Sequence, residues 1–350
     1  MDVVSRLSNH RQQEPAAEAV AAPRSVATLA GRLRTNVVAI VLAVDIVAVL
    51  VAQFGLSSHI LGRSSLSTLT PVLGVLVFMS IAQGIVIGTG GIDLSIPATV
   101  TLTGAIVLKA SAGTNGGLGK AIVIALIACV AIGVVNGVLV EVFGLNALVV
   151  TLATGQLIGG ITRLYRGPVP SVTQVPPALG NFASRNYGGI SLIFLLSIAC
   201  LVVIWAVLNL TVAGRMLVAS SASVRAARLA GLAAVGYRVG AWTLASCVVG
   251  IGALLLSGQV GSPDLTLGDP YLLSTVVAVV LGGAVLSGVR VSPAGVALGA
   301  VFIAVLDQVL QVRGYSTGAA SVAQGIVLAV GLALLGLIRG GRIGRLSRSR

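Results

Sequence analysis

Stretches of about 18 or more apolar residues recur along the chain, and that is the length at which an α-helix spans the hydrocarbon core of a bilayer. Nothing else in the sequence restricts the fold so strongly. Charged residues make up only 9% of the chain and hydrophobic residues 56%. Soluble domains carry roughly 25% charged residues, so a soluble fold of this length would lack the polar residues to cover its surface. The short alternating strands of a membrane β-barrel are not seen. The expectation is an all-α polytopic membrane protein.

The apolar runs predict about ten transmembrane helices, near residues 37–54, 66–87, 97–111, 119–142, 147–164, 190–210, 236–257, 271–288, 293–312 and 319–338. The first run is too long for a cleaved signal core and lacks a small-x-small cleavage site before the polar break. An even number of spans puts both termini on one side. With both cytoplasmic, about 15 of the 22 Lys/Arg residues lie inside, as the positive-inside tendency requires. Three regions follow. Residues 1–34 form a polar cytoplasmic tail, with Arg6, Arg11, Arg24, Arg32 and Arg34 against Asp2, Glu14 and Glu18. Residues 35–338 form the membrane domain, and 339–350 a basic cytoplasmic tail. The acidic loop 261–270, with Asp264 and Asp269, and the Pro-rich loop 166–189 fall outside. Topology therefore accounts for the formal charge of +13, and no nucleic-acid partner is expected.

Glycine occupies 45 of 350 positions, nearly twice the roughly 7% average, which favours close helix packing in lipid. GxxxG spacings occur at Gly84/Gly88, Gly133/Gly137, Gly155/Gly159, Gly236/Gly240 and Gly295/Gly299. Cys129, Cys200 and Cys247 all lie in apolar spans without CxxC or metal-ligand spacing, as small buried packing residues do.

Catalytic and nucleotide-binding patterns fail one by one. The two histidines, His10 and His59, lie in the tail and a loop, so no His-based metal or catalytic cluster is available. "GTNGGLGKA" (113–121) has Thr114 where a phosphate loop needs glycine and Ala121 where it needs Ser or Thr. "GTGGID" (88–93) places Asp93 where GxGxxG needs its last glycine. No ATP site is expected in this chain. The carboxylates within spans are Asp45, Asp93, Glu141 and Asp307. Such groups cost about 2.5–3.5 kcal/mol at the bilayer centre and are usually functional or paired. Glu141 and Asp307 stand near helix ends, within reach of water. The four are scattered, unlike the grouped carboxylates of an ion-coupled carrier.

Two segments interrupt the apolar pattern. The first is "GTGGIDLSIP" (88–97). Gly88, Gly90 and Gly91 permit backbone that a helix forbids. Asp93 and Ser95 suit the cap of a following helix, and Pro97 its first turn. Asp93 has no His, Lys or metal-type partner nearby in sequence, so the expectation is a broken helix that faces the bundle interior. A similar string, "GGAVLS" (282–287), stands before Pro293. Internal duplication and coincidence both account for it. The second interruption is "GRMLVASSASVRAARLAGLAAVGYR" (214–238), with Arg215, Arg225, Arg228 and Arg238 on the inner side. Ser220 to Leu229 is helix-forming, with Ser candidates for an N-cap and Gly231 as a stop. Arg225 and Arg228 share a face. A helix lying on anionic lipid and one that docks on a cytoplasmic partner both satisfy this pattern.

Four motifs together resemble a known family. They are "GGIDLS" (90–95), "NALVVTLATGQLIGGITRLYRG" (146–167), "GRMLVASSASVRAARLAGL" (214–232) and "AVVLGGAVLSGVRVSPAGVALGAVFIAVLDQVLQ" (278–311). Their order and spacing are similar to those of the membrane permease subunit of ribose/xylose/arabinose-type ABC sugar importers, related to the branched-chain amino-acid permeases. The resemblance runs from about residue 36 to 338. It implies a permease of the cytoplasmic membrane, not an enzyme, that moves a monosaccharide such as a pentose or hexose. The partners it implies are a second permease, as homodimer or heterodimer, an ATPase with two nucleotide-binding domains, and an extracytoplasmic solute-binding protein. ATP and Mg would reside on the ATPase, and this chain would hold no cofactor. The segment 214–236 matches the coupling segment that docks on the ATPase, with Ser220, Ser221, Val224, Arg225, Ala226, Ala227, Arg228, Leu229 and Gly231 as its residues. The helix break and translocation path would comprise Gly88, Gly90, Gly91, Asp93, Leu94, Ser95, Asn146, Thr151, Gly282, Gly283 and Ser287. The sequence departs from the family where Gly-Asn-Glu usually precedes Ala-Ala-Arg, and at Gly159–Gly160, where Arg-Gly is common. Docking is then tuned to a particular ATPase, or the subunit is one half of a heterodimer. The competing function is an ion-coupled secondary carrier that uses Asp45 and Asp93.

Overall fold

A computed structural model describes residues 62–167, 174–283 and 291–346, with isolated helical positions at Leu42, Ile46, Val47 and Leu50. The tail 1–34, most of the first expected span, Asp45, both histidines, Ser287 and residues 347–350 lie outside the described residues. The described helices are α1 (Arg63–Gly88), α2 (Ile96–Ser111), α3 (Asn115–Gly137), α4 (Ala147–Arg166), α5 (Pro177–Ala183), α6 (Leu192–Leu210), α7 (Val212–Ala222), α8 (Val224–Leu229), α9 (Ala234–Val260), α10 (Tyr271–Leu281), α11 (Pro293–Val312) and α12 (Thr317–Leu346). A π turn at Val138–Val142 extends α3.

Six of them are long and apolar enough to cross a membrane: α1, α3 with its π turn, α4, α6, α9 and α11. The protein is thus an all-α polytopic membrane protein. Not every expected span reaches full length. At roughly 1.5 Å per residue, the 16 residues of α2 and the 11 of α10 are too short to cross unaided. The expected span 271–288 ends early, because the chain leaves helical geometry at Gly282 and Gly283 (φ +82°). At the other end, α12 runs on to Leu346, into the expected tail 339–350.

Local sequence sets most helix starts. Thr114, Asn146, Ser191, Thr211, Ser223 and Ser292 each cap the helix that follows, their side-chain oxygens accepting from a backbone N–H two or three residues on. The connection between α5 and α6 holds one feature foreign to an all-α expectation. Asn186–Tyr187 pairs antiparallel with Ile190–Ser191 around Gly188–Gly189, a dipeptide suited to a tight hairpin turn. The Thr70 hydroxyl of α1 fastens this hairpin by donating to Gly189 O and accepting from Ser191 N.

Helices α1 and α9 form the centre. The apolar window of α1 is 89% buried and that of α9 is 67%, against 22% for α4 and 17% for α6. α1 is apolar on every side, as a helix surrounded by others must be. Small residues bring the backbones together. Gly133 and Gly137 lie directly against Thr243, Trp242 and Val239 of α9, and Gly295 and Gly299 against the α10 backbone at Gly282 and Ala278. Gly252 meets Phe78. The other GxxxG pairs divide differently. Gly84 touches valine side chains and Gly155 the break after α1, whereas Gly159, Gly236 and Gly240 meet nothing nearby.

A Cβ at Gly133 would sit 2.6 Å from Thr243 Cα, so Gly133→Ala should destabilise the fold by about 1–3 kcal/mol through overpacking. Gly236→Ala, over open space, should be neutral or slightly stabilising. Thermal unfolding of the two variants in detergent checks the contrast.

Candidate functional site

The break after α1 follows from three glycines with three different tasks. Gly88 remains in the last turn of α1. Gly90 turns the chain at φ +89°, a conformation that costs a side chain but not glycine. Gly91 lies where a Cβ would be 2.7 Å from the Trp242 ring. Val86 O accepts from both Thr89 N and Gly91 N, and Ile87 O from Gly90 N, so the carbonyls at the end of α1 are not left bare.

Beyond Gly91 the backbone has no helical partners, and side chains from other helices supply them. Thr151 of α4 accepts from Leu94 N at 3.0 Å, and its hydroxyl proton lies within reach of Ile92 O (3.1 Å) and Ala147 O (2.8 Å). Asp93 Oδ1 accepts from Ser95 N at 2.8 Å and from Ser95 Oγ at 2.6 Å. Asn136 of α3 donates to Ser95 Oγ at 3.0 Å. Asp93, Ser95, Asn136 and Thr151 are all buried. Only half of the expected capping is seen. Asp93 serves the N–H of the residue that opens α2, but Ser95 makes no side-chain cap, because its hydroxyl is turned back to Asp93.

A second cluster adjoins the first. Arg238 of α9 donates from Nε and Nη2 to the two carboxylate oxygens of Glu141, at 2.5 and 3.1 Å, and Nη2 also reaches Thr89 O at 2.6 Å. Trp242 Nε1 donates to Glu141 Oε1 at 3.1 Å. The Glu141 side chain is only 6% exposed. Glu141 therefore does not reach water as its place near a helix end implied; it is paired, and it sits within the π turn. Asp307 is likewise held, by two bonds from Gln324 Nε2 of α12 at 2.9 and 3.1 Å. Asp93, Glu141 and Asp307 keep separate partners and do not assemble into one group. Among the described residues, no three His, Cys, Asp or Glu side chains converge as metal ligands would.

A groove of about 200 Å³ opens beside the break. Leu94, Pro97 and Thr101 form one wall and Gln156 and Arg163 of α4 the other, and Asp269 also lines the groove. Gly155 brings α4 against Leu94 and Ser95, which ties the groove to the break.

The other expected site residues divide. Asn146 stands away from the break as the N-cap of α4, accepting from Leu148 N at 2.9 Å. Gly282 and Gly283 form the second helix stop, which packs on α11 through Gly295. Positive φ falls at Gly90 in one stop and at Gly283 in the other, so the turns are one residue out of register in the aligned strings. The segment Ser220–Leu229 is not one helix. Ser223 is extended, ends α7 and caps α8. Ser220 is buried, and Ser221 donates back to Leu217 O. Val224 is half-buried and Ala227 buried, whereas Arg225, Ala226, Arg228 and Leu229 are exposed. Sequence reasoning missed Asn136, Arg238 and Trp242 as members of the site. A lone amide in an apolar run, and opposite charges at the ends of two spans, were the available signals.

The residues matched by the family model for the branched-chain amino acid transport system permease component are 65–335. The chain belongs to this family. Among its relatives, the autoinducer 2 import system permease protein LsrD of Photorhabdus laumondii is 31% identical over 250 residues, which are 70% of this chain and 75% of the relative. LsrD of Salmonella typhi matches to the same extent. A probable ABC transporter permease protein, y4mJ of Sinorhizobium fredii, is 31% identical over 337 residues, 95% of this chain and 97% of the relative. No solved structure matches. The protein is a multi-pass ABC-transporter permease of the cytoplasmic membrane and not an enzyme.

In this permease Asp93→Asn should keep the fold, because the amide oxygen still accepts from Ser95. Thr151→Val should lower stability by about 1–3 kcal/mol by stranding the part-buried Leu94 N–H. Thermal unfolding in detergent distinguishes the two.

Proposed function

We propose that this permease imports a monosaccharide or a similarly small polyhydroxylated solute, a pentose or hexose being the simplest case. The support is the resemblance of its motifs to sugar-importer permeases together with relatives named for autoinducer 2 import. In this reading about ten spans place both termini in the cytoplasm. A second permease, identical or different, completes the pathway. An extracytoplasmic binding protein delivers the solute, and a separate ATPase with two nucleotide-binding domains carries ATP and Mg.

One observation carries the mechanism. α8 is a short helix that presents Arg225, Arg228 and Leu229, the last 83% exposed, between α7 and α9. A protruding leucine flanked by two guanidiniums suits a protein surface better than water. We assign it to the ATPase, whose closure on ATP would push α8 and switch the bundle between inward- and outward-facing states. Its contact residues are Arg225, Ala226, Arg228 and Leu229, with Val224 and Ala227 packing α8 on the bundle, Ser223 and Gly231 shaping its ends, and Ser220 and Ser221 closing the last turn of α7 before it. The solute would pass along the groove beside the break. Gln156 fits this path, since a polar side chain exposed midway along a spanning helix belongs beside a cavity or a partner rather than in lipid.

Reconstituted vesicles loaded with the ATPase test this, with radiolabelled D-ribose and autoinducer 2 as probes. Reversing the charges of Arg225 and Arg228 together should abolish most ATP-driven uptake while insertion is unchanged. Wild-type-like uptake in that variant would remove the docking assignment. Uptake by the permease alone, driven by an ion gradient and indifferent to ATP, would establish the secondary carrier instead.

A further inference from the structure

We propose that Arg238, Glu141 and Trp242 are the positioning residues that carry movement of α8 into the helix break at Thr89–Gly91. The proposal rests on the importer reading, in which α8 is the element that the ATPase moves.

The connection begins at the end of α8. Gly231 N donates to Arg228 O and Leu232 N to Ala227 O, both at 3.0 Å, with Gly231 at φ +76°. This is the paired bond pattern of a Schellman stop. Ala227 and Ala234 are buried on either side of it. The link from α8 to α9 is therefore short and internally bonded, so a displacement of α8 is passed on rather than absorbed.

Arg238 stands one turn into α9, and Trp242 one turn further. Together they hold three other parts of the chain. The guanidinium takes both oxygens of Glu141 and the carbonyl of Thr89, which is the C-cap of α1. A cation at that carbonyl also answers the negative end of the α1 dipole. Trp242 is 1% exposed, donates to Glu141, and lays its ring against Gly91. Glu141 lies in the π turn, a geometry frequent at functional sites. The beginning of α9 thus grips the end of α1, the first residues of the break and the end of α3. A rotation of α9 moves all three. Arg238 is specific to this task, because a lysine ammonium is a point charge and does not present the planar fork that meets two carboxylate oxygens and a carbonyl.

The test uses the full importer, assembled with its ATPase in lipid nanodiscs. Cys129, Cys200 and Cys247 are replaced by alanine, and spin labels are placed at Ala98→Cys and Gln156→Cys on the two groove walls. ATP hydrolysis and the inter-label distance with ATP and vanadate are then measured. Arg238→Gln should hydrolyse ATP at close to the unmodified rate but lose the distance change. The double variant Glu141→Gln with Arg238→Gln leaves no buried charge unpaired and should behave the same, which separates lost transmission from lost folding. A distance change of unmodified size in the folded double variant would overturn the proposal. No ATP-dependent change in the unmodified importer would overturn the importer reading beneath it, and that outcome is distinct.

Discussion

Every backbone N–H and C=O inside a membrane protein needs a partner, because lipid offers none. In this permease that requirement falls hardest on the seven residues between α1 and α2. The helix ends at Gly88, and the chain runs on to Ile96 without a helical ladder. Its bonds come from elsewhere: Thr151 from α4, Asp93 from within the break, Asn136 through Ser95, and Arg238 at Thr89 O. The break is thus the point where α1, α2, α3, α4 and α9 are joined by polar contacts. Apolar packing alone would leave their relative positions free to slide.

The same requirement explains the carboxylates. Asp93 sits in the place of a catalytic or ion-binding residue, yet its oxygen is occupied by the N–H and hydroxyl of Ser95. Glu141 is occupied by Arg238 and Trp242, and Asp307 by Gln324. Each is spent on local structure, with no shared proton path among the three. Among the described residues, that favours a permease whose driving force comes from a partner over a carrier that titrates its own acids.

Much of this was legible in the chain. Apolar run lengths located α1, α3, α4, α6, α9 and α11 within a few residues, because burying twenty apolar residues in lipid leaves little choice. Glycines and prolines marked both helix stops. The cap before α8 was legible as a serine but not as Ser223, since three serines stood within four residues and only the extended geometry of one selects it. The five GxxxG pairs were equal in sequence, yet Gly133/Gly137 and Gly295/Gly299 pack backbone to backbone while Gly236/Gly240 face open space. Spacing does not say which face of a helix meets a neighbour.

The sequence by itself determined the solvent, the class of fold and the position of the break, because these follow from hydropathy, run length and local backbone preference. It also carried the family motifs. Only the tertiary structure decided what the polar residues do. Glu141 and Arg238 are 97 positions apart, and Asp307 and Gln324 are 17 apart. Whether an intramembrane charge is a free acid, a paired one or a cap depends on what stands within 3 Å of it. That is set by helix packing and not by the chain on either side.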